Sequence, residues 1–307
     1  MLSRTADHLY WMSRNIERAE NIARFLDVAN RLSLSGGNAR DCWQPALTIT
    51  GGTEAYQERH GQVVAVSVIS WAVLDPANPS SIYSCLRIAR ENAHAVRSVI
   101  PTELWEIINS TWLELKNIDG HRLREQGLTG FCEWIKERSH TVRGATHSTM
   151  LRDEAFWFVR LGTFLERSDN TARLLGVRSE GVTADTRVVS ASAQLHWAAV
   201  LKSVSAYKSY RALTRDDVSP AGVADMLIMN PAMPRSLHTC MDTVSTILER
   251  ISPTAECTRM AGAAYARLHY GKLSELLANG LDKFVSQFIL DNNALGTEIH
   301  EDFLMSS

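Results

Sequence analysis

Glu17-Arg18-Ala19-Glu20-Asn21-Ile22-Ala23-Arg24 returns as Glu166-Arg167-Ser168-Asp169-Asn170-Thr171-Ala172-Arg173. The second copy starts 149 positions after the first in a chain of 307 residues, and five of the eight residues are identical. Ala19/Ser168 and Glu20/Asp169 are conservative pairs. A self-match at such a distance marks duplicated architecture.

Both copies sit in helical pattern. At 3.6 residues per turn, Tyr10, Arg14, Glu17, Glu20, Asn21 and Arg24 share one stripe of the first copy. Trp11, Met12, Ile16, Ala19, Ile22, Ala23 and Leu26 form the opposite, apolar stripe. In the second copy Glu166, Asn170 and Arg173 align against Trp157, Leu161, Phe164, Leu165, Ala172 and Leu175. Each copy is thus an amphipathic helix carrying an acid, an amide and a guanidinium in the same order. Three readings are open. The ionic stripe is a solvated face, with Glu20–Arg24 and Asp169–Arg173 as i,i+4 pairs worth roughly 0.3–0.5 kcal/mol. Or it is a buried structural network, or a ligand site. A solvated face needs charge but no fixed order of residue types, and Asn is a mediocre helix former with no reason to recur there.

A hydrophobic content of 45% and a charged content of 21% describe an ordinary globular chain with apolar residues enough for a large core. The net charge of −2 argues against bulk binding to nucleic acid or to an anionic membrane, which needs a basic excess. Five Cys (Cys42, Cys85, Cys132, Cys240, Cys257) are scattered without C-x-x-C spacing, which reads as reduced cytoplasmic thiols. The start MLSRTADHLYW has no signal-peptide run, and the most apolar stretch, 63–74, is too short to span a bilayer.

The periodicity predicts helices over 3–33, 63–74, 82–100, 102–118, 129–142, 151–175, 188–213, 220–229, 236–251, 254–278 and 281–290, with a short apolar piece at 42–50 and a frayed tail. The turn 75–81 supplies an N-cap for the helix that follows it, Ser219-Pro220 is a cap with Pro at the first helical position, Pro234-Arg235-Ser236 starts the next helix, and Ser252-Pro253 repeats the cap-plus-Pro device. The polar segment 177–187 is the candidate linker or mobile loop. No strand pair and no βαβ alternation appears. The expected fold is all-α: one compact multi-helix bundle over 1–307 centred on two pseudo-repeated Glu-Arg helices, with a first repeat of about 1–150 and a second from about 151.

A third charged helix carries Arg90, Glu91, Asn92, His94 and Arg97. Three Arg-bearing helices packed together could not bury unpaired guanidinium groups, because desolvation costs several kcal/mol per ion. Glu17, Glu91 and Glu166 are the natural partners, and any cation left over would grip a carboxylate or phosphate. Glu91-x-x-His94 and Glu137-x-x-His140, with Glu17 and Glu166, also match the ligand count of a di-iron bundle. The neighbouring Arg18, Arg90 and Arg167 would crowd such a dication with like charge, and no metal or cofactor is expected. There is no G-x-S-x-G, phosphate-binding Gly-rich loop or G-x-G-x-x-G. His147, His238 and His269 read as packing or surface residues.

Five features in order resemble the alpha-E domain family, an all-helical bacterial domain of unassigned chemistry. They are R-x-x-E-R-A-E-N-x-A-R (Arg14 to Arg24), N-P-x-S-I (Asn78 to Ile82), A-R-E-N-A (Ala89 to Ala93), R-L-G-x-x-L-E-R-x-D (Arg160 to Asp169) and P-R-S (Pro234 to Ser236). His94 stands where the family usually has a last Arg. The resemblance implies association with a circularly permuted ATP-grasp amide ligase, often beside a transglutaminase-like peptidase and a proteasome-like hydrolase, in systems that look like makers of a small peptide. The leading expectation is therefore an accessory or substrate-binding protein of a peptide-ligase system. It would hold an anionic, carboxylate-bearing ligand with Arg14, Glu17, Arg18, Asn21, Arg24, Arg90, Glu91, Arg97, Arg160, Glu166, Arg167, Asn170, Arg173 and Arg235. The rivals are an acyl- or amide-transferring enzyme with Glu17 or Glu166 as general base, a role that surrounding Arg opposes by favouring the charged carboxylate, and a structural scaffold.

Overall fold

The computed structural model describes residues 1–34, 38–177, 179, 182–183, 186, 190–214 and 217–304. Among them every regular element is a helix, so the chain is all-α. Its contacts divide it into two compact units, 1–163 and 164–307. The division falls inside a helix, later than the repeat boundary read from the sequence.

The first unit holds α1 (Ser3–Leu34), α2 (Ala39–Ile49), α3 (Thr53–His60), α4 (Ala65–Val73), α5 (Ile82–Ala95), α6 (Thr102–Lys116), α7 (Gly120–Gln126), α8 (Leu128–Thr149) and the first part of α9 (Glu154–Gly176). Helix α1 packs on α2, α5 and α8, and α6 closes the layer by packing on α5 and α8. The core gathers Ile22, Leu26, Trp43, Leu47, Val68, Trp71, Ile82, Trp112, Phe131 and Ile135. Within the apolar stretch 63–74 the helix covers Ala65–Val73.

The second unit holds the rest of α9, then α10 (Ala191–Ser203), α11 (Tyr207–Leu213), α12 (Pro220–Ile228), α13 (Leu237–Ile251), α14 (Glu256–Tyr270), α15 (Leu273–Leu276) and α16 (Leu281–Ile299), which runs into a π-helical turn over His300–Leu304. Helix α14 packs on both α13 and α16.

Local chemistry sets the helix starts. Ser81, Ser219 and Ser236 each accept a hydrogen bond from the backbone N–H three residues on, satisfying donors that a first turn leaves open. The two N-P corners match as well: Asn78 Oδ1 accepts from Ser80 N, and Asn230 Oδ1 from Ala232 N. This Asx turn precedes the capping serine in both units, so the duplication extends beyond the Glu-Arg helices.

Several expectations are corrected. Residues 188 and 189 of the predicted helix 188–213 lie outside the described set, and the described part forms two helices, α10 and α11. Ser205 takes φ +58°, Ala206 N donates to Leu201 O at 2.8 Å and Ser205 N to Lys202 O at 3.1 Å. This is a Schellman stop with Ser in the left-handed position that Gly usually occupies, so no glycine announced it. Helix α5 ends at Ala95, α8 continues to Thr149, and Ala255 rather than Ser252 precedes α14. Asp119 caps α7, accepting from His121 N and Arg122 N. The tail is helical to Ile299, anchored by buried Leu295, Ile299 and Leu304. Of the expected linker 177–187, residues 178, 180, 181, 184, 185 and 187 lie outside the described set; the Val182 and Thr186 carbonyls accept from Leu281 N and Ala221 N.

Candidate functional site

The ionic stripe of α1 is inside the protein. Glu17, Glu20, Asn21 and Arg24 are buried beside the apolar stripe, and Glu20 is 0% exposed. That overturns the solvated-face reading for the first copy, because a carboxylate so placed survives only if it is paired.

Its partners come from α8, which runs antiparallel to α1. Arg24 Nε donates to Glu20 Oε1 at 2.8 Å. Ser139 Oγ donates to Glu20 Oε2 at 2.7 Å, and Arg143 Nη1 reaches the same oxygen. Arg143 Nη1 also donates to Glu17 Oε2 at 3.1 Å and to Ser139 Oγ at 2.9 Å. At the more open edge, His140 Nε2 lies 3.7 Å from Glu20 Oε1 and 3.5 Å from Arg24 Nη2. One turn further along, Lys136 Nζ lies 3.5 Å from Asp27, which also takes Arg31 Nε at 3.1 Å. The result is a ladder of alternating charge along one helix–helix seam, with two carboxylates and two guanidinium groups at its most buried rung.

The second copy repeats the local pair in a wetter setting. Arg173 Nε donates to Asp169 Oδ2 at 2.7 Å, with the two side chains 31% and 14% exposed. Helix α16 brings an amide to this copy. Ser168 Oγ donates to Asn292 Oδ1 at 2.9 Å, and Asn292 Nδ2 to Leu165 O at 3.4 Å. Thr171 Oγ1 donates to Arg235 O at 2.9 Å, tying α9 to the corner that starts α13. Glu166, Arg167, Asn170 and Arg235 are buried, and the Arg167 guanidinium stands 4.8 Å from the Phe164 ring.

Arg14 is half-buried, donating to the Tyr10 hydroxyl at 3.1 Å and stacking 4.9 Å from Trp11. Arg18 is half-buried. Arg90 donates to Asn109 at 3.1 Å and covers Trp105, whose ring also meets His94. Glu91 is exposed and takes Arg87 at 3.1 Å, and Arg97 is exposed on the turn after α5. Glu91 therefore pairs on the surface, because α5 turns its apolar stripe towards α1 and its charges away. Arg160 Nη1 lies 2.6 Å from His147 Nε2. Burial first, then the Arg160 and Arg152 charges, hold the His147 ring below its ordinary pKa.

Sequence reasoning missed Ser139, Arg143, Lys136 and Asp27, and met His140 only as half of a weak metal motif. Ending α8 at Val142 left Arg143 outside any helix, and no spacing links residues 126 positions apart. No three His, Cys, Asp or Glu side chains converge as a metal site among the described residues. No described helix is long and apolar enough to cross a membrane.

The fold and this seam define a class: an all-helical domain organised around duplicated Glu-Arg helices whose ionic stripe is buried. The chain belongs to the Alpha-E family, described as a predicted alpha-helical domain with a conserved ER motif, whose model matches residues 1–304. It is similar to uncharacterized proteins of Mycobacterium bovis (Mb2597) and Mycobacterium tuberculosis (MT2643 and Rv2567), each 24% identical over 310 residues. The match covers 91% of this chain but 34% of each relative, so the chain spans about a third of their length. No solved structure matches.

Proposed function

We propose that this protein is an accessory, substrate-binding component of a peptide- or amide-ligase system, and that the α1–α8 seam holds a carboxylate-bearing ligand. One observation carries the reading. All hydrogen bonds of Arg143 to described residues go through Nη1. Its Nε and Nη2, the fork that meets a carboxylate with two parallel bonds, are left uncommitted on a side chain 26% exposed. Glu17 and Glu20 hold the guanidinium from behind, and His140, 55% exposed at the same edge, adds a further polar contact. Orientation by a buried acid is what a carboxylate clamp needs, because a loose Arg would lose rotamer freedom on binding.

The link to a circularly permuted ATP-grasp ligase, with a transglutaminase-like peptidase as a further partner, rests on the family resemblance. A bacterial, cytoplasmic setting fits five buried cysteine thiols. An enzymatic role with a base on α1 is less well supported, since both Glu20 oxygens are engaged, Oε1 by Arg24 and Oε2 by Ser139 and Arg143.

Calorimetry with acidic di- and tripeptides tests the binding claim. The parent should bind, and Arg143→Lys, which keeps the charge but loses the fork, should weaken binding at least tenfold with unchanged circular dichroism. Equal affinity in the variant, or no acidic peptide bound by the parent, rejects the site. The accessory claim is tested by adding the protein to its ligase: product that neither makes alone is the expected result.

A further inference from the structure

A second cluster of titratable side chains lies on the α13–α14 face of the second unit, away from the Glu-Arg helices in sequence. His238 and Asp242 are four residues apart on α13, as are Tyr265 and His269 on α14. The two helices pack together, and their antiparallel register sets His238 against His269 and Tyr265 near Asp242. His238 Nε2 lies 3.2 Å from His269 Nδ1, with the ring centroids 5.4 Å apart. Tyr265 Oη lies 3.0 Å from the same His269 nitrogen.

That spacing fits a shared metal ion. Two imidazole nitrogens, each about 2.0–2.1 Å from one tetrahedral ion, stand about 3.3 Å apart. The His238 ring and the Tyr265 phenol both converge on the one nitrogen, His269 Nδ1. The phenol has a second acceptor close by in Asp242. Turning that way frees His269 Nδ1. His238 is 8% exposed, which fixes its ring, while His269 is exposed and leaves an entry path.

We propose that His238 and His269 form a two-imidazole clip for a divalent transition-metal ion of borderline softness, such as Zn2+, Ni2+ or Cu2+. Water completes the coordination. No third His, Cys, Asp or Glu joins them among the described residues, so the site is open and exchanges its ion.

Cu2+ titrated into the metal-free full chain, followed by calorimetry and electron paramagnetic resonance, tests this. The expected result is one tight site per chain with hyperfine structure from two nitrogens. His269→Ala, a surface change that leaves the core intact, should weaken that site at least tenfold and leave at most one nitrogen. Tyr265→Phe should retain two-nitrogen binding. If the parent shows no two-nitrogen site, or His269→Ala binds Cu2+ as the parent does with the same spectrum, the clip does not exist.

Discussion

Ser139 Oγ donates to Glu20 Oε2 at 2.7 Å across 119 positions of sequence, and both side chains are buried. A neutral hydroxyl thereby shares the solvation of a carboxylate that no water reaches. Ser139→Ala should destabilise the protein by about 1–3 kcal/mol, the usual range for stripping a donor from a buried charged acceptor. Urea unfolding checks this, with a lower midpoint and an unchanged slope as the expected pattern.

The two copies of the acid–arginine pair should differ in weight. Glu20→Ala leaves Arg24 and Arg143 facing a buried void and should cost about 3–5 kcal/mol, as when one partner of a buried pair is removed. Asp169→Ala breaks the matching pair where Arg173 still reaches water, and should cost roughly 1 kcal/mol or less. Thermal unfolding of the two variants side by side decides it. Equal losses would mean that burial does not separate the two copies.

Stability should fall on mild acidification, partly through His147. Its folded pKa lies below the ordinary value of 6.5 because of burial and the Arg160 and Arg152 charges. Between those two values the unfolded chain binds more protons than the folded one, so stability declines as pH drops from 6.5 towards the folded value. Proton NMR should show the His147 midpoint below that of exposed histidines. Arg160→Gln should move it part of the way back up, since burial remains after the charge is gone.

Gly162 is a close-approach residue. A Cβ built there would lie 2.3 Å from Ser13 Oγ and 2.4 Å from the Tyr10 carbonyl oxygen, so α1 and the first part of α9 meet backbone to backbone. Gly162→Ala should cost about 1–3 kcal/mol through overpacking. Adding Ser13→Ala should recover little, because the carbonyl clash persists. Melting temperatures of the single and double variants measure both effects. The glycine of R-L-G-x-x-L-E-R thereby acquires a physical role.

Much of the scaffold was legible from local chemistry. Serine caps before Gly222, Ser84 and Thr239, helical periodicity and the absence of alternating apolar residues point to helices wherever the backbone can satisfy itself within a few residues. The duplication was legible too, since Glu20–Arg24 and Asp169–Arg173 are i,i+4 pairs that form within one helix. The break at Ser205 was not, because its left-handed residue is held by the surrounding hydrogen bonds rather than by glycine's freedom.

The candidate site divides along the same line. Sequence alone determined that Glu17, Glu20 and Arg24 share a stripe of one helix, because a 3.6-residue period is a property of the backbone. Only the tertiary structure decided that this stripe is buried, that Ser139, His140 and Arg143 face it, and that Glu91 turns outward to Arg87. Those facts depend on which helix packs on which, and at what register. The summed burial of apolar side chains along whole helices sets that packing, and no short motif encodes it.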